Sequence, residues 1–104
     1  MSLALVVLFT LADDAAAQRF DALVARALPG IRDHEPGTLL YAPHAVVGQP
    51  LQRLIYARYA DRDAHAVHNG RPEMAALLAE LPALTTAVRV EELVPDAGGV
   101  PDAG

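Results

Sequence analysis

The run Leu3-Ala4-Leu5-Val6-Val7-Leu8-Phe9 constrains the fold most, because it is apolar at every position. A strand with one solvated face alternates apolar and polar residues, whereas a strand covered on both faces is apolar throughout. The run is too short to span a membrane, and it lacks the preceding basic residues of a secretory signal. We therefore expect a buried strand with a layer of structure on each side.

The remaining periodicities predict the element order β-α-β-β-α-β. Apolar residues at helical spacing follow Asp13-Asp14, and a second such stripe follows Asp61, where an aspartate suits a helix N-cap. The predicted elements are a helix from Asp13 or Asp14 to Ile31, strands over residues 38–46 and 53–59, a helix over residues 61–81 and a strand over residues 84–94.

Proline and glycine mark the expected irregularities. Pro29-Gly30 predicts a kink or a break in the first helix, and Pro43 predicts an edge position or a bulge in the second strand. The second helix should be interrupted at Gly70 and restart at Pro72, and Pro82 should end it.

This order predicts a ferredoxin-like α+β domain over residues 1–94, followed by a Pro/Gly-rich tail over residues 95–104. Right-handed crossovers place the helices on one face of a four-stranded antiparallel sheet and leave the other face uncovered. Since the first strand is apolar on both faces, we expect a second copy of the sheet to cover it in a homodimer.

Composition excludes several classes of function. The eight basic residues are all arginine and are outnumbered by thirteen acidic ones, giving a net charge of −5, which argues against a nucleic-acid partner. There is no cysteine, so a disulfide framework, a thiolate nucleophile and a cysteine metal site are excluded. We expect a cytoplasmic protein that does not associate with membranes.

Two histidines of the second helix are the first candidate site residues. His68 shares an apolar stripe with Ala64 and Val67, so it should point inward, either into a ligand pocket or as a core histidine bonded to a backbone carbonyl. His65 should lie nearer the surface, where it is either solvated or part of a ligand site. No further ligand accompanies the two at the spacing a metal site requires, so no metal site is predicted.

Arginines and tyrosines of the predicted strands complete the candidate set. Arg58 alternates with Tyr59, so one of them faces the helices and the other the opposite face of the sheet. An arginine in either layer needs a partner, either an ion pair with Glu91, Glu92 or a carboxylate of the second subunit, or an anionic ligand. The remaining candidates are Tyr41, Tyr56 and Arg89.

The string HEPGTLLY at residues 34–41, with IYARYADRDAHAVHNGRPEM at residues 55–74, resembles the antibiotic biosynthesis monooxygenase-like family. The resemblance covers almost all of residues 3–94 and implies a dimeric α+β barrel. Tyr59 and His68 match the family's strand-ending tyrosine and helical histidine. The chain departs from the family at Ala57, where an acid is frequent, and at Arg71-Pro72-Glu73, where threonine-proline-histidine is frequent. It also lacks the tryptophan of quinone-forming and haem-degrading relatives, and Asn69 is its only asparagine.

The resemblance implies a monooxygenase that acts on a small aromatic phenol or hydroquinone without a bound cofactor. His68 would be the base and Arg58 or Arg89 would stabilise the oxyanion, while Tyr41, Tyr56, Tyr59 and His65 would contact the substrate. Two alternatives stay open: a non-catalytic binding or accessory protein of the same fold, and a haem-binding or haem-degrading relative that uses His68.

Overall fold

The computed structural model describes residues 2–94 and confirms the predicted α+β architecture. The interruption predicted at Gly70 and the restart at Pro72 are confirmed, and they divide the second crossover into two helices. The elements are β1 (Leu3–Leu11), α1 (Asp14–His34), β2 (Thr38–Val46), β3 (Gln49–Tyr59), α2 (Arg62–Gly70), α3 (Pro72–Leu84) and β4 (Thr85–Leu93). The tail predicted over residues 95–104 lies outside the described part of the chain.

The four strands form one antiparallel sheet in the order β2-β3-β1-β4. The apolar strand β1 is interior to the sheet, with Val7 opposite Ile55 on one side and Val90 on the other. Strand β2 is at an edge, as Pro43 predicts, since proline cannot donate to a second neighbour.

The two faces of the sheet differ in what covers them. Alternate residues such as Leu5, Phe9 and Ile55 point toward the helices and are buried. The opposite face, here called the free face, is not covered by any helix of the described chain and presents mainly apolar side chains. Its apolar residues include Val6, Leu8, Leu40, Ala42, Leu54, Tyr56 and Leu93, and its polar residues include Thr10, His44, Gln52, Arg58, Arg89 and Glu91.

Aspartate side chains begin both crossovers. The Oδ1 atom of Asp13 accepts a hydrogen bond from the Ala16 amide at 2.8 Å, and that of Asp61 accepts one from the Ala64 amide at 2.8 Å. Each bond satisfies a backbone donor that has no partner within the helix. Of the two aspartates considered for α1, Asp13 is therefore the cap.

Three expectations drawn from single residues need correction. Helix α1 is continuous through Pro29, so of the kink or break expected there the break does not occur, and α3 continues past Pro82 to Leu84. Both prolines are exposed, and buried Ala27 and Ile31 hold α1 against the core on both sides of Pro29, so packing outweighs the lost hydrogen bond. Val67 was expected on the buried stripe of α2 but is 58% exposed.

The core lies between the sheet and the helices, where the rings of Phe9 and Phe20 pack with centroids 4.7 Å apart. Among the described residues, no helix is long and apolar enough to cross a membrane.

Candidate active site

A cavity of about 270 Å³ lies between the helix-covered face of the sheet and helices α2 and α3. Its walls are mostly apolar, and a small set of titratable side chains reaches it from four elements, β2, β3, α2 and β4. The apolar walls include Leu5, Val7, Phe9, Ile55, Met74 and Leu77, and the polar or titratable lining consists of Tyr41, Tyr59, His65, His68, Asn69 and Glu92. An apolar pocket with a few polar groups is typical of a small-molecule site.

His68 lies at the centre of the titratable set. It is 3% exposed, and its ring centroid is 5.1 Å from that of Tyr41 and 5.4 Å from that of Tyr59. Helix α2 brings it there because Asp61 caps the helix directly after β3 ends at Tyr59. The inward position predicted for His68 is confirmed.

The buried partner of His68 is Glu35, at the C-cap of α1. Its Oε1 atom lies 2.8 Å from Nδ1 of His68 and 2.8 Å from the Thr38 hydroxyl, which donates to it. Its Oε2 atom lies 3.3 Å from Nε of Arg71, and the Glu35 side chain is only 2% exposed. His68 lines the cavity whereas Glu35 does not, so Nδ1 is the ring nitrogen on the Glu35 side and Nε2 is the nitrogen left for a ligand in the cavity.

Sequence reasoning missed both Glu35 and Arg71. Glu35 was interpreted only as part of the Glu-Pro-Gly turn, and Arg71 only as a departure from the family pattern. One signal could have identified Glu35: a helix C-terminus carries partial negative charge, so an acid there is unfavourable unless another group stabilises it.

The two tyrosines of the cavity stay protonated over the ordinary pH range. Burial, with the charge of Glu35, raises the pKa of Tyr41 well above its usual 10.0. Burial likewise raises the pKa of Tyr59, with smaller contributions from Tyr41 and Glu35. Both phenols are therefore neutral groups that can donate a hydrogen bond and contact a ring, and neither is a base.

His65 also contacts Tyr59, with ring centroids 4.8 Å apart. Its Nε2 atom is 3.3 Å from the side-chain amide nitrogen of Asn69, and since that amide only donates, Nε2 accepts and the neutral ring carries its proton on Nδ1. Burial and the charge of His68 lower the pKa of His65 from 6.5, with Glu92 opposing them. His65 therefore tends to stay neutral beside His68.

Three of the predicted site residues lie elsewhere. Arg58, Tyr56 and Arg89 alternate with cavity-lining neighbours and are on the free face, so none of them lines this cavity. Arg89 pairs instead with Glu91 at 2.9 Å. The alternation of side chains along a strand explains the difference, because it puts Tyr59 toward the helices and Arg58 away from them.

Within residues 2–94 there is no group of three or more His, Asp or Glu side chains placed to hold a metal ion. Glu92, which lines the cavity, forms an exposed ion pair with Arg62 at 3.2 Å.

Several solved structures share this fold. The protein Rv0793 from Mycobacterium tuberculosis superposes with a TM-score of 0.82 at 23% identity, covering 100% of both chains. PA3566 from Pseudomonas aeruginosa gives 0.75 at 22% identity, covering 92% of this chain and 95% of its own. SnoaB from Streptomyces nogalater, described as a cofactor-independent oxygenase, gives 0.77 at 19% identity, covering 97% and 98%.

No protein of curated function matches the sequence significantly. The sequence profile of the family described as antibiotic biosynthesis monooxygenase matches residues 2–80, about three quarters of the chain. The chain therefore belongs to the antibiotic biosynthesis monooxygenase family.

Proposed function

We propose that this protein is a cofactor-independent monooxygenase that oxidises a small aromatic substrate of the phenol or hydroquinone type. The observation that carries the proposal is the position of His68, which borders an apolar cavity between two neutral tyrosine rings. The family assignment and the fold shared with the oxygenase SnoaB support the same class of reaction.

The reaction begins with transfer of the phenolic proton of the substrate to Nε2 of His68. An imidazole suits this step because it ordinarily titrates near neutrality. The resulting phenolate donates electrons to molecular oxygen, and a bond forms between a ring carbon and oxygen. Return of the proton gives a hydroperoxide, which loses water together with the hydrogen on the same carbon. A phenol and O₂ thus yield a quinone and one water molecule.

The surroundings of His68 suit a substrate of this kind. Tyr41 and Tyr59 can contact an aromatic ring edge to face and donate to the phenolate oxygen, because their raised pKa values keep both hydroxyls protonated. The apolar walls bind the rest of the ring and keep water from the reacting atoms.

The test is oxygen uptake by the purified, metal-stripped protein with a panel of hydroquinones and anthrones. His68→Asn is the informative variant, because the asparagine amide can still donate to Glu35 while the group at the Nε2 position is removed. The control is the same substitution at exposed His34, in the last turn of α1. We expect uptake above the autoxidation rate, reduced about 100-fold or more in His68→Asn and retained in His34→Asn.

Equal uptake by wild type and His68→Asn would remove His68 as the base. If the folded protein consumed no oxygen with any compound of the panel but bound one of them in the cavity, a non-catalytic binding role would replace the proposed function.

A further inference from the structure

A buried polar cluster, formed by Glu35, Thr38, His68 and Arg71, lies on the side of His68 that faces away from the cavity. Burying an ionised carboxylate costs several kcal/mol unless its oxygens are paired. Here Oε1 of Glu35 is within 2.8 Å of both the Thr38 hydroxyl and His68 Nδ1, and Oε2 faces the guanidinium of Arg71 at 3.3 Å. The Thr38 hydroxyl, the His68 ring and the Arg71 guanidinium can each donate a hydrogen bond to a carboxylate, so all three contacts suit an acceptor at Glu35.

The position of the proton on His68 follows from these contacts. An ionised carboxylate only accepts hydrogen bonds, so Nδ1 of His68 must carry a hydrogen to bond Glu35. In the neutral ring the lone pair is then on Nε2, at the cavity side. A histidine with the opposite tautomer would present an N–H to the substrate and could not accept its proton.

We propose that Glu35 is a positioning residue that fixes His68 as the Nδ1–H tautomer, and that Arg71, placed over Gly30, pairs with the Glu35 carboxylate and holds it against His68. The effect on turnover rests on the proposed function, but the tautomer of His68 does not.

The missing side chain at Gly30 of helix α1 leaves room for the Arg71 guanidinium. A Cβ atom at Gly30 would lie 2.9 Å from Nη2 of Arg71, so the end of the Arg71 side chain would have to shift, whereas Cζ at 3.7 Å would be in ordinary contact. Glycine inside a helix costs about 0.5–1 kcal/mol relative to alanine, so its presence there needs a reason. Contact with Arg71 supplies that reason.

Arg71 also faces a second carboxylate. Its Nη2 atom is 3.8 Å from Oε2 of Glu73, and that oxygen is buried without a hydrogen-bond partner among the described residues. The guanidinium therefore lies between two acids, and its displacement would leave both without their nearest cation.

The first test is ¹⁵N NMR of the His68 ring in the ligand-free protein, with the resonance assigned by its loss in His68→Asn. We expect one protonated and one unprotonated ring nitrogen, with the proton on Nδ1. In Glu35→Gln the neutral amide should release this preference, and the ¹⁵N shifts of the two ring nitrogens should move toward each other.

Where turnover is measurable, kcat of Glu35→Gln should fall about 100-fold with KM changed much less, because the wrong tautomer binds substrate but cannot take its proton.

The second test leaves the cluster's own side chains in place. Gly30→Ala should shift the end of the Arg71 side chain beside Glu35 and move the His68 signals part of the way toward those of Glu35→Gln. The matched control is Gly70→Ala, also at a helical glycine, where an added Cβ meets no atom within 4 Å. Its His68 spectrum should equal that of the wild type.

A proton on Nε2 in the wild type, or a His68 spectrum unchanged in Glu35→Gln, would overturn the role of Glu35. An unchanged spectrum in Gly30→Ala would overturn that of Arg71. Absence of turnover with every substrate would contradict the proposed function but leave these spectral results valid, so the two failures are distinguishable.

Discussion

The two histidines of α2 lie one turn apart but have different partners. His68 is bonded to a buried carboxylate, while half-buried His65 contacts the Tyr59 ring and the Asn69 amide. The cavity thus combines one histidine supported by a negative charge with another whose surroundings favour the neutral form. Such a difference allows one imidazole to exchange a proton with a ligand while its neighbour stays uncharged.

The lowered pKa of His65 predicts a pH dependence of stability. Burial is the main cause, followed by the charge of His68, so the folded protein binds a proton at His65 less readily than the unfolded chain, for which the value is 6.5. As the pH falls through this region, the unfolded state takes up more protons and is favoured. Between about pH 7.5 and about pH 5, wild type should lose more stability than His65→Gln in urea unfolding.

Glu92 provides a second variant for the same prediction. Its charge raises the pKa of His65, opposing burial, so Glu92→Gln should make the loss of stability on acidification steeper than in wild type. Identical pH dependence in wild type and His65→Gln would show that His65 does not contribute.

At the level of elements, the contact between the turn after α1 and the start of α2 places His68. A Cβ at Gly37 would lie 2.5 Å from the Cβ of Ala64, and the Gly37 carbonyl accepts a hydrogen bond from the Ala60 amide at 2.8 Å. The absence of a side chain at Gly37 thus lets the first turn of α2 approach the loop that carries Glu35.

Gly37→Ala should therefore destabilise the protein by about 1–3 kcal/mol, because α2 must move away from the turn. Ala64→Gly removes the opposing methyl group and costs about 1 kcal/mol by itself through helix propensity. The double variant should be more stable than Gly37→Ala alone when unfolding is followed by circular dichroism in urea. Simple addition of the two single costs would show that the Cβ contact does not limit the packing.

At this scale, the sequence predicted features that depend on neighbouring residues and missed a contact between residues far apart in the chain. Capping by Asp61, the edge position of Pro43 and the inward direction of His68 depend on neighbouring residues, and the structure confirms them. The bond between Glu35 and His68 joins residues 33 positions apart, and no local pattern reports it. Alternation along β3 required Arg58 and Tyr59 to face opposite ways but contained no information on which one faced the helices.

At the scale of the whole molecule, the free face is the main unexplained feature. It places Val6, Leu8, Leu54 and Tyr56 side by side on interior strands, with Leu40 and Leu93 toward the edges. Leu40 and Leu93 are 38% and 39% exposed, and no helix of the described chain packs over this side. Apolar sheet faces are ordinarily covered, and a second sheet of the same kind matches this one in shape and polarity.

We propose that two copies associate through their free faces, as the apolar first strand predicted, and that the protein is a dimer at micromolar concentration. Leu54→Glu would put an unpaired carboxylate into that interface and should weaken association about 100-fold or more, giving a folded monomer in sedimentation velocity. Val47→Glu is the control, because Val47 is fully exposed in the β2–β3 turn and its substitution should leave the dimer intact.

A monomeric wild type at micromolar concentration, or a dimer unaffected by Leu54→Glu, would contradict this assembly. In the dimer, Arg58 and the Arg89–Glu91 ion pair would face the partner sheet.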